Sequence, residues 1–240
     1  AGGAATNNAA PSAMETMFPP WDKAAVEADL KASAGVEGSK YTDDAEGLLC
    51  PEAMKVFIDV WKRPEELLQD QPAIPMVTLD AAAEAGPHGS RALDSENALF
   101  SGTACIEWLY MAIRLINERA DSINAGDFLW ENIYPKGADG LPAVNPAGKY
   151  SVRMWVMNAW RCVTVDDRIP VDLFGRSTLV GIRPLMLWPL ILTKAVMKLM
   201  QHYRVMDNAA PDEVPAVLWL TGWERECLGT STAHGVLYDR

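Results

Sequence analysis

A thiol, an imidazole and a carboxylate are side chains from which a hydrolytic site can be assembled. The chain carries Cys50, Cys105, Cys162 and Cys227, with His88, His202 and His234. The cysteines are widely spaced and form no Cys-x-x-Cys pair. That is a poor disulfide scaffold and a poor zinc site, and it fits a reducing interior. Cys105 stands in Gly102-Thr103-Ala104-Cys105-Ile106-Glu107-Trp108-Leu109. Cysteine is among the most buried residue types, so a packed core thiol is the preferred reading over a reactive one. His88 and His234 are read as loop residues. His202, at the end of an expected helix, is read as a partner of the last carbonyls rather than a metal ligand. Asp166-Asp167 could suggest an acid/base pair or a metal site. Neighbouring strand residues point to opposite faces, however, so a strand terminus or cap is the better reading. Asp43-Asp44 with Glu46 reads as a solvated loop. No Walker loop, dinucleotide fingerprint or metal-ligand spacing is present.

The elements that would position these residues follow from periodicity. Tyr150, Val152, Met154 and Val156 alternate with Ser151, Arg153, Trp155 and Met157, which predicts a half-buried strand. A turn is expected at Asn158-Ala159, and a second strand over Arg161 to Val165. Asp166-Asp167 should end the ladder because carboxylates resist burial, and Pro170 should mark the strand exit. Helices are expected over Lys23–Ala34, capped by Asp22, and over Leu99–Glu118, capped by Ser101 or Thr103. Others are expected near Asp127–Ile133 and over Leu187–Tyr203, with a short one carrying Pro64 in its first turn. Lys136–Ala147 reads as a Gly/Pro loop, Asp172–Arg183 as irregular or a short strand, and Val217–Thr221 as a short apolar run. Phe18-Pro19-Pro20-Trp21 reads as an extended anchor with both aromatics tucked against the domain. Residues 1–17 are expected to be a disordered linker and 18–240 one domain. The fold class is α+β, with helices packed on a small antiparallel sheet.

Composition narrows the function classes. The chain has 240 residues, 49% hydrophobic, with a formal net charge of −11. Such an acidic surface repels nucleic acid and anionic lipid, and the only basic cluster is Lys62-Arg63. Neither nucleic acid nor membrane is therefore expected as a partner. The longest apolar run, Leu185–Leu192, is too short to span a bilayer. No secretory signal is visible, and the missing initiator Met raises the expectation of a longer parent chain. Trp155, Trp160, Trp188, Trp219 and Trp223 are read mainly as core, with one or two as exposed anchors.

Several stretches together resemble the amino-terminal calpain-like region of the androglobin family. They are Phe18-Pro19 with Trp21, Trp61-Lys62-Arg63-Pro64-Glu65-Glu66-Leu67, Gly148-Lys149-Tyr150 and Trp160-Arg161 to Asp166-Asp167. Leu187-Trp188-Pro189-Leu190-Ile191-Leu192-Thr193-Lys194-Ala195 and Leu220-Thr221-Gly222-Trp223 complete the set. They occur in the family's order from Phe18 onward. Calpain protease cores are similar more distantly, through the Val-Asp-Asp-x-x-Pro strand end. The resemblance implies the first lobe of a papain-like protease. It also implies a setting in motile cilia or flagella, cytoplasmic and cytoskeletal, among other axonemal proteins. A globin domain and a calmodulin-binding segment would lie outside this chain.

In that family a nucleophilic thiol stands at a helix start before Trp-Leu, served by a His and an Asn from a second lobe. Aligned on Trp108-Leu109, Glu107 takes the nucleophile slot, and a carboxylate there cannot perform thiol acylation. A two-residue shift instead makes Cys105 the nucleophile. His234 has no Asn-Pro-Trp partner after it. The expectation is therefore a degenerate protease lobe acting as a structural module. No catalytic, cofactor-binding or metal residue is assigned, and no cofactor is expected. The alternative is a calpain-type cysteine protease using Cys105, with its second lobe outside this chain. A calcium-linked regulatory role has no EF-hand loop behind it.

Overall fold

Alternation of buried and outward side chains from Lys149 onward builds the centre of the molecule. The computed structural model describes residues 13–35, 38, 40–43, 55–67, 74, 76, 99–100, 107–122, 128–179, 181–182, 186–207 and 216–223. In chain order these give α1 (Ala13–Met17), α2 (Lys23–Ala34), β1 (Val60–Lys62), α3 (Pro64–Leu67), β2 (Leu99–Phe100), α4 (Glu107–Ser122) and α5 (Phe128–Glu131). There follow β3 (Ile133–Tyr134), β4 (Lys149–Val156), β5 (Ala159–Asp166), β6 (Ile169–Val171), β7 (Gly181–Ile182), α6 (Leu187–Asp207) and α7 (Ala216–Thr221). Strands β3, β4 and β5 form an antiparallel sheet, and β1 pairs with β6 and β2 with β7. The class is α+β, as expected.

The hairpin register runs from Lys149 opposite Asp166 to Val156 opposite Ala159. Its turn is Met157-Asn158, with φ of 53° and 55°. That is one residue earlier than the polar break expected at Asn158-Ala159. A two-residue hairpin turn of this hand needs positive φ at both central positions, and Ala159 is better used as a ladder residue. Tyr150, Val152, Met154, Val156, Val163 and Val165 face the main core, which α6 fills from the same side with Leu192, Ala195, Val196 and Leu199. The intervening Cys162 points the other way. It meets Val26 and Leu30 of α2 and Tyr134 of β3 in a second, smaller cluster. Helix α2 thus lies on the face of the sheet opposite α6. Asp22 caps α2 as expected, accepting from the Ala25 amide at 3.1 Å.

The outer edge of β5 is covered by the anchor segment. The Cys162 amide donates to the Pro19 carbonyl and the Trp21 amide to the Trp160 carbonyl, both at 2.9 Å. Phe18 is buried in the main core, and the Trp21 ring lies 5.0 Å from that of Tyr134. Two prolines in this added strand deny a further chain the donors for pairing. Residues 13–17 of the stretch expected to be a linker form α1. Residues 1–12 lie outside the described residues.

Other expectations change at the edges. Leu99-Phe100 is strand rather than helix start, pairing with Gly181-Ile182, and the helix runs over Glu107–Ser122. Ser101 and Thr103, its expected caps, lie outside the described residues. Pro170 does not mark an exit from pairing: it sits inside β6, opposite Trp61. Among the described residues β6 has β1 as its one partner strand, with only a bridge from Val171 to Ser177 on the other side, and the Pro170 carbonyl still serves the Thr178 amide at 3.0 Å. Trp188 and Trp219 are core, while Trp155, Trp160 and Trp223 are half-buried.

Arg161 ends the core-facing row of β5. Its Nη2 lies 3.6 Å from a Glu15 carboxylate oxygen, but Nε and Nη1 are buried without a hydrogen-bond partner. Unmade bonds of a buried group carry its desolvation cost. Arg161→Met should therefore leave the unfolding free energy from urea melts unchanged or raise it, by up to about 1–2 kcal/mol. A loss above about 1 kcal/mol would mean that the Glu15 contact outweighs the orphaned donors.

Candidate functional site

Helix α6 explains why a charged cluster forms where the sequence suggested only a strand end. Its buried positions run almost all round, from Leu187 to Met200, which places it inside the fold. Lys194 and Lys198 sit one turn apart on it, so their ammonium groups need acceptors. Lys194 Nζ donates to the Asp166 carbonyl at 2.8 Å and forms an ion pair with its carboxylate. Lys198 Nζ reaches Asp43 Oδ2 at 2.6 Å and the Thr164 carbonyl at 2.8 Å. Asp166 also accepts from the Asp43 amide at 3.0 Å and from Arg168 Nε at 2.6 Å. On the other side of the strand end, Asp167 pairs with Arg63, whose Nη2 donates to the Tyr41 carbonyl at 2.8 Å.

Asp166-Asp167 does end β5, but both carboxylates are buried rather than solvated. Burial works to raise the Asp166 pKa. The Lys194 charge and the donors from Lys194, Asp43 and Arg168 outweigh it and hold the carboxyl below its ordinary range. Burial pushes Asp167 up, and Arg63 offsets this only in part. Asp166 is therefore the ionised anchor of a structural lattice joining segment 40–43, β5 and α6. The strand-end reading holds, and Asp166 Oδ1 also accepts from the Arg168 amide at 3.1 Å. Gly148 admits the lattice: with φ +67°, it leaves no room for a Cβ, which would lie 2.7 Å from Asp167 Oδ2.

The thiol side of the chemistry is only partly placed. Glu107 opens the described part of α4, and its side chain is outside what the structure describes. Leu109, Ala112, Ile113 and Ile116 are the core face of that helix. Cys105, Cys50, Cys227, His88, His234, Asp44 and Glu46 lie outside the described residues, as does the His202 side chain. Cys162 is a free, buried thiol, and burial pushes its pKa up and so disfavours the thiolate. Among the described residues no three His, Cys, Asp or Glu side chains gather as for a metal ion. No described helix is long and apolar enough to cross a membrane.

The family model for calpain family cysteine proteases matches residues 45–237. The chain belongs to the calpain family. Among curated relatives, the calpain-like protease palB/cpr-8 of Neurospora crassa is 30% identical over 210 residues, 86% of this chain and 21% of its own. Mouse androglobin is 27% identical over 241 residues, 91% of this chain and 14% of its own. Human calpain-7 is 36% identical over 92 residues, 38% of this chain and 11% of its own. The androglobin resemblance thus stands, but the fungal calpain-like proteases match at least as well and are not the more distant likeness. The chain spans less than a quarter of the length of the curated relatives it matches.

The lattice gives a signed pH dependence. Asp166, with its folded pKa depressed, contributes stability above the ordinary carboxylate pKa of about 4 and loses it as pH falls further. Asp167, raised, contributes below that value and loses its contribution as pH rises through its own pKa. At pH 7 Asp166→Asn should cost about 3–5 kcal/mol, since it strands Lys194, and should flatten the loss of stability below about pH 4. Asp167→Asn should leave that acid limb in place. Urea melts across this range check both.

Proposed function

We propose that this calpain-family lobe works by shape, as a non-catalytic assembly module docked in the axonemal complex of a motile cilium or flagellum. The Leu173-Phe174 tip carries the reading. Leu173 is 82% and Phe174 79% exposed, although both are large apolar side chains. The turn beneath them is braced. Asp172 Oδ1 accepts from the Phe174 amide at 2.8 Å and the Arg176 amide at 2.9 Å, and the Asp172 and Gly175 amides make backbone bonds of 2.9 Å. The Arg176 guanidinium stacks 4.9 Å from the Phe174 ring. Val60, also exposed, pairs with Val171 just before the tip, and the exposed Val56 and Phe57 precede it in sequence. Water-facing apolar groups held rigid lose little entropy on docking, which suits an interface anchor.

The ciliary setting, the cytoplasmic and cytoskeletal location, and axonemal partners come from the androglobin resemblance, as does calmodulin binding through regions outside this chain. Glu107 beside Trp108-Leu109 supports the non-catalytic part. The second reading, a cysteine protease using Cys105, draws on the name and 30% identity of the fungal relative. Met111 and Leu115, exposed one turn apart on α4, would suit a surface that a second lobe covers.

A thiol-directed epoxide followed by intact mass separates the two readings. The folded chain should leave Cys105 unlabelled and the urea-unfolded chain should label it; rapid stoichiometric labelling of the folded chain would favour the protease. For assembly, Leu173→Asp/Phe174→Asp should change stability by no more than about 0.5 kcal/mol and abolish co-sedimentation with demembranated axonemes. Undiminished co-sedimentation would remove the tip from the interface.

A further inference from the structure

A groove of about 820 Å³ opens between α2 and the loop joining β3 to β4. It lies on the α2 side of the sheet, away from α6 and from the Leu173-Phe174 turn. Its floor is apolar, made by Leu30, Tyr134, Pro135, Ala143 and Pro146. Its walls carry Lys23, Lys31, Lys136 and Arg153 against Glu27 and Glu131. An excess of positive charge here contrasts with the net −11 of the chain.

The cations differ in how they are held. Arg153 Nε donates to Asn132 Oδ1 at 3.0 Å, and its guanidinium carbon stacks 4.5 Å from the Trp160 ring. That fixes the plane of the fork and leaves both terminal nitrogens unpaired among the described residues. Lys31 has no carboxylate partner among the described residues, and Lys23 is only loosely paired with Glu27 at 3.8 Å. Lys136 Nζ is anchored on the Trp130 carbonyl at 2.5 Å and sits 5.1 Å over the Tyr134 ring. A pre-oriented guanidinium, with the Lys31 ammonium that has no carboxylate partner among the described residues, recognises carboxylates. The apolar floor between them calls for a side chain, which a lone anion does not bring.

We propose that this groove is a docking site for an acidic peptide segment of a partner protein, with carboxylates reaching Arg153 and Lys31 and an apolar side chain between them on Tyr134 and Leu30. Its position on the α2 face of the sheet, opposite α6, makes it a tether. The site stands whether or not the Leu173-Phe174 tip is an interface.

Fluorescence anisotropy of the whole chain with a fluorescein-labelled Asp/Glu/Leu peptide tests it at low ionic strength. Binding should be saturable and should weaken as salt rises. It should fall about tenfold or more for Lys31→Glu and for Arg153→Gln, and stay unchanged for Lys62→Glu, which lies on the β1 strand. Circular dichroism of each variant confirms the fold, and exposed Lys31 on α2 carries the test if Arg153→Gln unfolds. An Asp/Glu/Gly peptide should bind at least several-fold more weakly, because it cannot use the floor. No binding, equal loss with Lys62→Glu, no loss with Lys31→Glu, or equal affinity for the glycine peptide would each overturn the proposal.

Discussion

The ion pair between Asp166 and Lys194 is the constraint on which the rest of this lobe depends. Two charges sit in a core that excludes water, and neither is tolerable without the other. Their pairing ties the end of β5 to α6. The other carboxylate oxygen of Asp166 draws in Arg168 and the Asp43 amide, and Lys198 binds the Asp43 carboxylate. Segment 40–43, which has no strand or helix of its own, is thereby fixed to the sheet. The same lattice continues through Asp167 to Arg63, at the turn between β1 and α3. A lobe with a small sheet gains from such cross-links a defined geometry that apolar contact alone would leave looser. That view of buried charge is one about specificity more than about net stability.

Much of this was legible in the sequence because local patterns and tertiary burial agree. The hairpin, α2 with its Asp22 cap, Pro64 in the first turn of α3 and the Phe18–Trp21 anchor all follow from period and residue type. The register slip at Met157-Asn158 shows where that method ends: Met is no turn residue, and only the pairing of Ala159 with Val156 places it there. Leu99-Phe100 failed for a related reason. A short apolar run before a helical stripe reads as helix until its partner Gly181-Ile182, some eighty residues on, claims it as strand.

The charge lattice was missed although its signal was present. Lys194 and Lys198 stand in the sequence of a helix that is apolar on nearly every side, where a lysine needs a buried acceptor. The Asp-Asp pair was read as a strand end, which it is, yet was expected to avoid burial. Joined, the two observations predict each other, since each supplies the counter-charge the other needs. The nucleophile question is different in kind. Glu107 and Cys105 compete for one slot by alignment alone, and periodicity says nothing about which side chain reaches a cleft.

Family membership fixes the scaffold and leaves its use open. Both a protease lobe and an assembly module need the same packed hairpin and the same anchored α6. They differ at the surface, in the braced Leu173-Phe174 turn and the basic groove beside α2, and at the start of α4. In either use the lobe is cross-linked by internal charge pairing, independent of any thiol chemistry.

A double-mutant cycle on Asp166→Asn and Lys194→Met, read by urea denaturation at neutral pH, tests that most directly. The account predicts that the double variant is more stable than Asp166→Asn alone, with a coupling energy of about 2–3 kcal/mol. Additive losses, with coupling within about 0.5 kcal/mol of zero, would contradict it.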